Sequence, residues 1–496
     1  MRTVMALVAA TILAGSSSTT LAAAEADLVI TNVTVVDPES STSAEARDVV
    51  IDDGRIVAVL AGGTAPEADK TLDGTGKFLI PGLMDMHSHS NYRPLHDATL
   101  KLMLANGVTG VREMGSDCME PGGFYLCLGE MQASQAKIEA GEMVGPRIVE
   151  LSTMKLSSNR PKDASEVRVL YGPMSAEDGR ASVAGLADRG ASLIKVSEEI
   201  VPDAFAGVLE EAAARDLKVG GHVPMMYSVG EVAAMGMTSI EHARDLPLDC
   251  STFGGAFRAQ LKAKLAGQDV PWPDRDAIPA KSRDTFDEET CEAQIAALAD
   301  AGTYYVPTHA TRELDFRAGE AEYRSDPDLA YIVDMQQAEW NRDLDRTAQA
   351  SPEKLADFRD FFGLVLKTTG MAHEAGVKIM AGTDANDTMI VPGFSLHDEL
   401  GFFVQAGLTP MEALRTATSV PAEYLGRTHD FGGVSAGKLA DLVLLDADPT
   451  ADIANTRAIA AVIQGGEVRD RAALDAMLEG VRVWVAMANE NMAPPQ

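Results

Sequence analysis

Basic residues are in short supply in this chain. Its 42 Lys and Arg face 74 Asp and Glu, a formal net charge of −32 over 496 residues. A surface so acidic repels phosphate backbones, which argues against nucleic acid and anionic bilayers as partners and favours solubility. Long apolar runs are missing as well. The stretch from Val4 to Ala14 is far shorter than the ~20 residues that a membrane span requires, so no membrane insertion is expected. No cysteine follows Leu13-Ala14-Gly15, so bacterial lipid attachment at that place has no support. Short-period repeats and internal low-complexity tracts are absent, which excludes a solenoid. Aromatic residues make up 5% of the chain and cysteines number four.

What is present is an ordinary globular balance, 46% hydrophobic and 23% charged, at a length that suggests a large domain with a smaller one. Residues 1–24 read as a signal peptide. Met1-Arg2 is a positive start, the apolar run follows, and Ala22-Ala23-Ala24 offers small residues for cleavage. Export to the periplasm or medium of a bacterium follows from that reading. It would carry the four cysteines into an oxidising compartment.

From residue 25 to 80 the pattern is short strands and turns. DLVITNVTVVD and DVVIDDGRIVAVL are β-rich, and Asp53-Gly54 is a good hairpin turn. Strand-like runs return at Leu439–Ala447 and Ala458–Asp470, within the segment 431–496. Two such modules bracketing the chain predict a small β-sandwich built from both ends, finished by a C-terminal helix, with residues 81–430 inserted between. In that inserted region, eight short apolar strand candidates alternate with helix-like stretches, beginning at His87 and ending in VKIMAGTDAND. This is the rhythm of an α/β fold of (β/α)8 TIM-barrel type.

The stretch FLIPGLMDMHSHS, Phe78 to Ser90, is the centre of the reading. On a strand, His87 and His89 point the same way and make part of a metal grip. Further polar residues end otherwise apolar strands: Lys195 in SLIK, His222 in KVGGH, His242 in SIEH and Asp384 in KIMAGTD. Core packing does not explain a polar residue placed repeatedly where strands of a barrel meet the site.

PGLMDMHSH, LIKV, GGHV, SIEHA and AGTDA, in this order, resemble the amidohydrolase superfamily. GLTPMEALRTATSVPAEYLG and SAGKLADLVLLDADP are similar to its imidazolonepropionase-like and metal-dependent dipeptidase branch. The resemblance implies a (β/α)8 barrel with a chain-end β-sandwich. It also implies two divalent metal ions, one on His87, His89 and Asp384 and one on His222 and His242, bridged by a carboxylated Lys195. Mixed His and carboxylate ligation suits zinc. Two ions sharing a water would lower its pKa toward neutrality, and Asp384 would pass a proton to the leaving amine. The implied activity is hydrolysis of an amide or related C(=O)–N bond in a small molecule such as an N-acyl amino acid, dipeptide or aryl amide. The alternatives are a cyclic amide, ester or lactone at the same site, or a metal-retaining binding protein without turnover. Self-association into a homo-oligomer is left open.

Departures from the family pattern narrow this. His222 is followed by Val-Pro-Met-Met-Tyr without a glutamate, which disfavours deamination, and Lys195 is followed by Val196-Ser197-Glu198-Glu199 where dipeptidase relatives are Gly-rich. Tyr227, Arg244, His309 and Arg312 are candidate substrate contacts near strand ends, with His309 read equally as a structural hydrogen-bonding histidine or a carbonyl polariser, and Arg312 as a substrate contact or a surface partner of Glu313 or Asp315. His373 and His397 fall in helical contexts and receive no ligand role. Arg112 and Glu113 brace either the barrel floor or the site. The four cysteines allow three connectivities. Cys118–Cys127 with Cys250–Cys291 is favoured, because each pair closes a loop on the active-site face. The 247–290 insertion, with Trp272 between prolines and Arg258, Lys262 and Lys264 upstream, reads equally as a lid or as a surface decoration.

Overall fold

The computed structural model describes residues 26–118, 122–159 and 170–492; the expected leader, residues 1–24, lies outside them. Both ends of the chain enter one eight-stranded sheet. Its order is Glu467–Asp470, Ile459–Gln464, Leu442–Leu445, Phe78–Pro81, Ala26–Asp37, Thr42–Asp52 and Arg55–Ala61, with Ala68–Asp73 paired beside Ala26–Asp37. The junction between the two ends is the antiparallel match of Leu442 with Pro81 and Leu445 with Phe78. Side chains alternate across strands, so Leu28, Ile30 and Leu79 from one end meet Leu442, Leu444 and Ile463 from the other in a single apolar cluster. The hairpin expected at Asp53-Gly54 is there. Both residues have positive φ, 46° and 70°, as a two-residue turn matching the strand twist requires.

Phe78–Pro81 leads straight into Leu83–Ser88, and the remainder of the chain is built on parallel strands with helices between. Leu83–Ser88, Val108–Glu113 and Arg147–Leu151 form one parallel set; Leu193–Val196, Lys218–Gly221, Ser239–Glu241 and Tyr304–Val306 form another. Single parallel bridges carry the order onward, from Ser152 to Leu193, from Tyr305 to Ile379, and from Ala385 to Ser88. Helices begin where the sequence supplies caps. Ser228 and Thr409 each accept from the backbone of a glutamate three residues on, Glu231 and Glu412, whose carboxylates return the bond.

One expected element is absent. The eighth strand candidate, VKIMAGTDAND, is held by isolated bridges rather than a ladder. The reason is local. A Cβ on Gly382 would lie 2.7 Å from Val306 Cγ1 and 2.8 Å from His87 Cβ, so the chain passes too close for an ordinary pleat. Past Gly382 it turns through Asp384 at φ 64°, and the Thr383 and Asp384 amides both donate to the His87 carbonyl. Thr383 Oγ1 donates to buried Asp85, which also accepts from the His87 amide. Backbone bonds still tie the segment to both neighbours, from the Met380 amide to the Tyr305 carbonyl and from the Met86 amide to the Ala381 carbonyl, and these side-chain bonds add to them.

The sulfurs of Cys118 and Cys127 are bonded, as are those of Cys250 and Cys291. The second bond ties the short helix Asp245–Asp249 to the helix Glu288–Ala301, so the insertion between them is anchored at both ends. Within it, Arg258 is pinned to buried Asp249 by two bonds of 2.7 and 2.8 Å, while Trp272 is exposed under Lys264.

The closeness at Gly382 is testable. Gly382→Ala is expected to cost about 1–3 kcal/mol in denaturant unfolding, because the added Cβ would meet Val306 Cγ1 on one side and the His87 Cβ and amide on the other, all under 3 Å. An unchanged unfolding midpoint would show that the segment yields freely.

Candidate active site

The six sequence-derived residues converge. His89 Nε2 lies 3.0 Å from Asp384 Oδ1, and His87 Nε2 lies 3.3 Å from the same oxygen. The other Asp384 oxygen is 3.7 Å from His242, and the Lys195 amine is 3.4 Å from His87 Nε2. His242 stands between His87 and His222, with ring centroids 4.8 Å from each. Donor atoms of His87, His242 and Asp384 all fall within 4.8 Å of one another. Strands bring in five of the six: His87 lies in Leu83–Ser88 and His89 directly follows it, Lys195 sits in Leu193–Val196, and His222 and His242 directly follow Lys218–Gly221 and Ser239–Glu241.

Three of the four rings are held from behind. The Glu241 carboxylate accepts from His87 Nδ1 at 2.8 Å, which turns Nε2 toward Asp384. Glu241 is in turn clasped by Arg112, whose Nη2 reaches both carboxylate oxygens at 2.8 Å. Arg112 also donates to Ser239 Oγ, Tyr424 Oη and the Met86 carbonyl, so it braces the interior beneath the site. Glu113 lies beside it in sequence and fixes Ser90 through the Ser90 amide and hydroxyl. Glu198 accepts from His222 Nδ1, and Thr308 Oγ1 bonds His242 Nδ1 at 2.9 Å. Such partners orient a ligating imidazole and set its tautomer.

Glu241, Glu198 and Thr308 were not singled out from the sequence. A signal existed for Glu241: a charged residue inside the strand SIE, matching a second inside GVRE, needs a partner of opposite sign once buried. Glu198 did show itself as a departure from a Gly-rich pattern. The structure gives that departure a place, on His222.

Burial dominates the titration of the cluster. It lowers the pKa of His89 and of His222 to about 4, and that of His242 well below its usual value, keeping these lone pairs free at neutral pH. Burial also lowers the Lys195 amine to about 8, despite the opposing charges of Asp384 and Glu241. It would raise Asp384, but the charge of His87 and hydrogen bonds from His87 and His89 hold that carboxyl well below the usual range. Glu241 is likewise buried, yet the Arg112 charge brings it down to about 2, so it stays ionised and accepts from His87.

The expected substrate contacts divide. Arg244 and Arg312 line a cavity of about 180 Å³ beside Glu198, whose other wall includes Phe257, Ile278 and Pro279 of the insertion. For His309 the structure favours the structural of its two readings over a substrate contact. It has no exposed surface, and its two ring nitrogens are taken by Glu399 at 2.8 Å and Thr369 at 3.0 Å, so it is a structural group. Tyr227 needs correction, because its ring packs against Phe205 and under Lys262 and lines none of the three cavities around the cluster. His397 is buried between Thr456 and the Asn106 carbonyl, and His373 pairs with Glu412 at 3.4 Å, both away from the cluster. The donor cluster itself opens into a cavity of about 510 Å³ lined by His89, Asn91, Met114, Lys155, Lys195 and His222, among others. A second, of about 320 Å³, shares His89 and Asp384 with it.

Comparison with known proteins finds short local matches in sequence and a shared fold. The chain is 40% identical over 79 residues to an imidazolonepropionase of Shouchella clausii (strain KSM-K16), covering 15% of this chain and 17% of that protein. It is 35% identical over 63 residues to an L-hydantoinase of Paenarthrobacter aurescens, 13% of either protein. The chain thus spans less than a fifth of the length of these curated relatives. Among solved structures it is similar to a Xaa-Pro dipeptidase with bound methionine in the active site, at TM-score 0.62 and 20% identity, over 89% of this chain and 99% of that one. It is also similar to the bottromycin amidohydrolase, at TM-score 0.67 and 20% identity, over 92% and 90%. These two likenesses establish a shared fold. Residues 367–469, which contain Asp384 and the chain-crossing strands, match the amidohydrolase family. That match, on this fold and beside this histidine cluster, is what the chain shares with the amidohydrolase family.

Proposed function

We propose that the protein is a binuclear metal-dependent hydrolase of a small-molecule amide or related C(=O)–N bond, acting in a (β/α)8 barrel of residues 81–430 braced by a chain-end β-sandwich. The carrying observation is the buried donor set, with His87, His242 and Asp384 atoms mutually within 4.8 Å and the Lys195 amine 3.4 Å from His87. The donors fit a pair of divalent ions: the His89, His222 and His242 imidazoles that burial keeps neutral, His87 turned by Glu241, one ionised carboxylate, and a lysine whose ammonium form burial disfavours. His87, His89 and Asp384 would hold one ion and His222 and His242 the other, with carboxylated Lys195 between them. Zinc suits that mixture. Bound there, the ions would supply Lewis acidity and a more acidic water.

The chain's own groups carry the remaining steps. An uncharged Lys195 amine is the form that reacts with CO₂, and the resulting carbamate offers two anionic oxygens where an ammonium would repel cations. Glu241 and Glu198 keep His87 and His222 in one tautomer. Asp384, facing both the donor cluster and the open cavities, is placed to accept a proton from the attacking water and return it to the leaving nitrogen. Two disulfides, together with the leader-like composition of residues 1–24, support export to the periplasm or medium. Among the described residues no helix is long and apolar enough to cross a membrane.

Metal content tests the reading first. Purified protein is expected to hold two transition-metal ions per chain and to lose hydrolysis of a panel of dipeptides, N-acyl amino acids, aryl amides and cyclic amides on chelation. Active protein with well under one equivalent would sink the proposal.

Substitution separates the two anionic groups. Lys195→Ala is expected to lower metal retention, with partial recovery on adding short carboxylic acids. Asp384→Asn should keep much of the metal and lose ~10²–10⁴-fold in kcat. Near-full turnover by Asp384→Asn would remove it as the proton carrier.

A further inference from the structure

The cavity of about 320 Å³ that shares His89 and Asp384 with the donor cluster has a wall unlike the rest of the site. Tyr92, Phe124 and Tyr125 form a triangle of rings, with centroids 5.3 to 5.5 Å apart. Aromatics are only 5% of this chain, yet Phe124 and Tyr125 are left 44% and 45% exposed here. The triangle is built rather than incidental. Tyr92 and Tyr125 form an antiparallel bridge, the Arg93 amide donates to the Phe124 carbonyl at 2.8 Å, and the Leu126 amide donates to that of Asn91 at 2.7 Å. The Cys118–Cys127 bond then closes the loop that carries two of the rings.

The rest of the cavity is acidic. Glu339, Asp343 and Asp387 line it together with Asp384, and among the described residues no Lys or Arg does. Asp343 is paired with Arg346 at 2.7 Å and accepts from Thr388. Glu339 and Asp387 have no ion-pair partner among the described residues. Arg312, whose charge reaches Asp387, is bonded to Asp315 at 3.1 Å. Ring faces and uncompensated carboxylates favour the same ligand, a cation with an apolar stem: the rings through their quadrupoles, the carboxylates through Coulomb attraction. An anionic group would face the Glu339 and Asp387 carboxylates, and a neutral one would gain nothing from their charge.

We propose that this cavity is a subsite for an organic cation, a guanidinium or ammonium group at the end of an apolar stem, belonging to the substrate. The proposal rests on the hydrolase reading only for the word substrate. Because Asp384 lines this cavity and the donor cavity alike, the stem would run from the cleaved bond past Asp384 to the rings.

Butylguanidinium and its neutral match butylurea probe the subsite directly by calorimetry on the purified, metal-loaded protein. The cation is expected to bind about tenfold more tightly, and less so as salt is raised. Glu339→Gln and Tyr125→Leu should each move that ratio toward one. In turnover, amides bearing an arginine side chain should exceed their citrulline counterparts in kcat/KM, chiefly through KM. Equal binding of the two probes, or a preference that neither substitution changes, would overturn the subsite. A preference in binding with no amide cleaved would support the subsite and count against the hydrolase reading alone.

Discussion

The orientation of His87 hangs on Glu241, a carboxylate with no exposed surface. Buried alone, it would take up a proton and lose its grip on His87. Arg112, itself without exposed surface, meets it with two bonds of 2.8 Å and keeps it ionised. The charged pair then points one oxygen at His87 Nδ1, which leaves Nε2 for the site. Removing either partner of such a pair typically costs 3–5 kcal/mol, because the survivor stays buried without its counter-charge. Orientation of one imidazole therefore depends on residues from three strands, Leu83–Ser88, Val108–Glu113 and Ser239–Glu241.

The same economy of space shapes the approach of Asp384. A regular eighth strand would pleat its side chains alternately in and out. Gly382 removes the side chain that would strike His87, and the positive φ at Asp384 swings its carboxylate over the histidines. The chain-end sheet serves this arrangement too. Phe78–Pro81 is fixed between Ala26–Asp37 and Leu442–Leu445 immediately before the HSH segment begins. Arg147 adds a tie from the parallel strands to Asp441 of the sheet at 2.6 Å.

Charge is unevenly spread around the centre. On one side lie aromatic rings and carboxylates, on the other Arg244 and Arg312 beside Glu198 and a wall contributed by the disulfide-anchored insertion. A net charge of −32 says nothing of this polarity, which exists only because loops distant in sequence are brought to one face.

The histidines, Lys195 and Asp384 were legible in the sequence because each ends an apolar strand, and local alternation is a property of a few consecutive residues. The hairpin at Asp53-Gly54 was legible for the same reason. What tertiary structure alone decided is everything that needs two distant segments: Glu241 finding Arg112, Glu198 finding His222, and His309 being satisfied by Glu399 and Thr369 rather than facing a ligand. A histidine after a strand looks the same in sequence whether its ring turns to the site or into the core. Packing makes that choice, since a buried polar ring must find its partners wherever the fold supplies them.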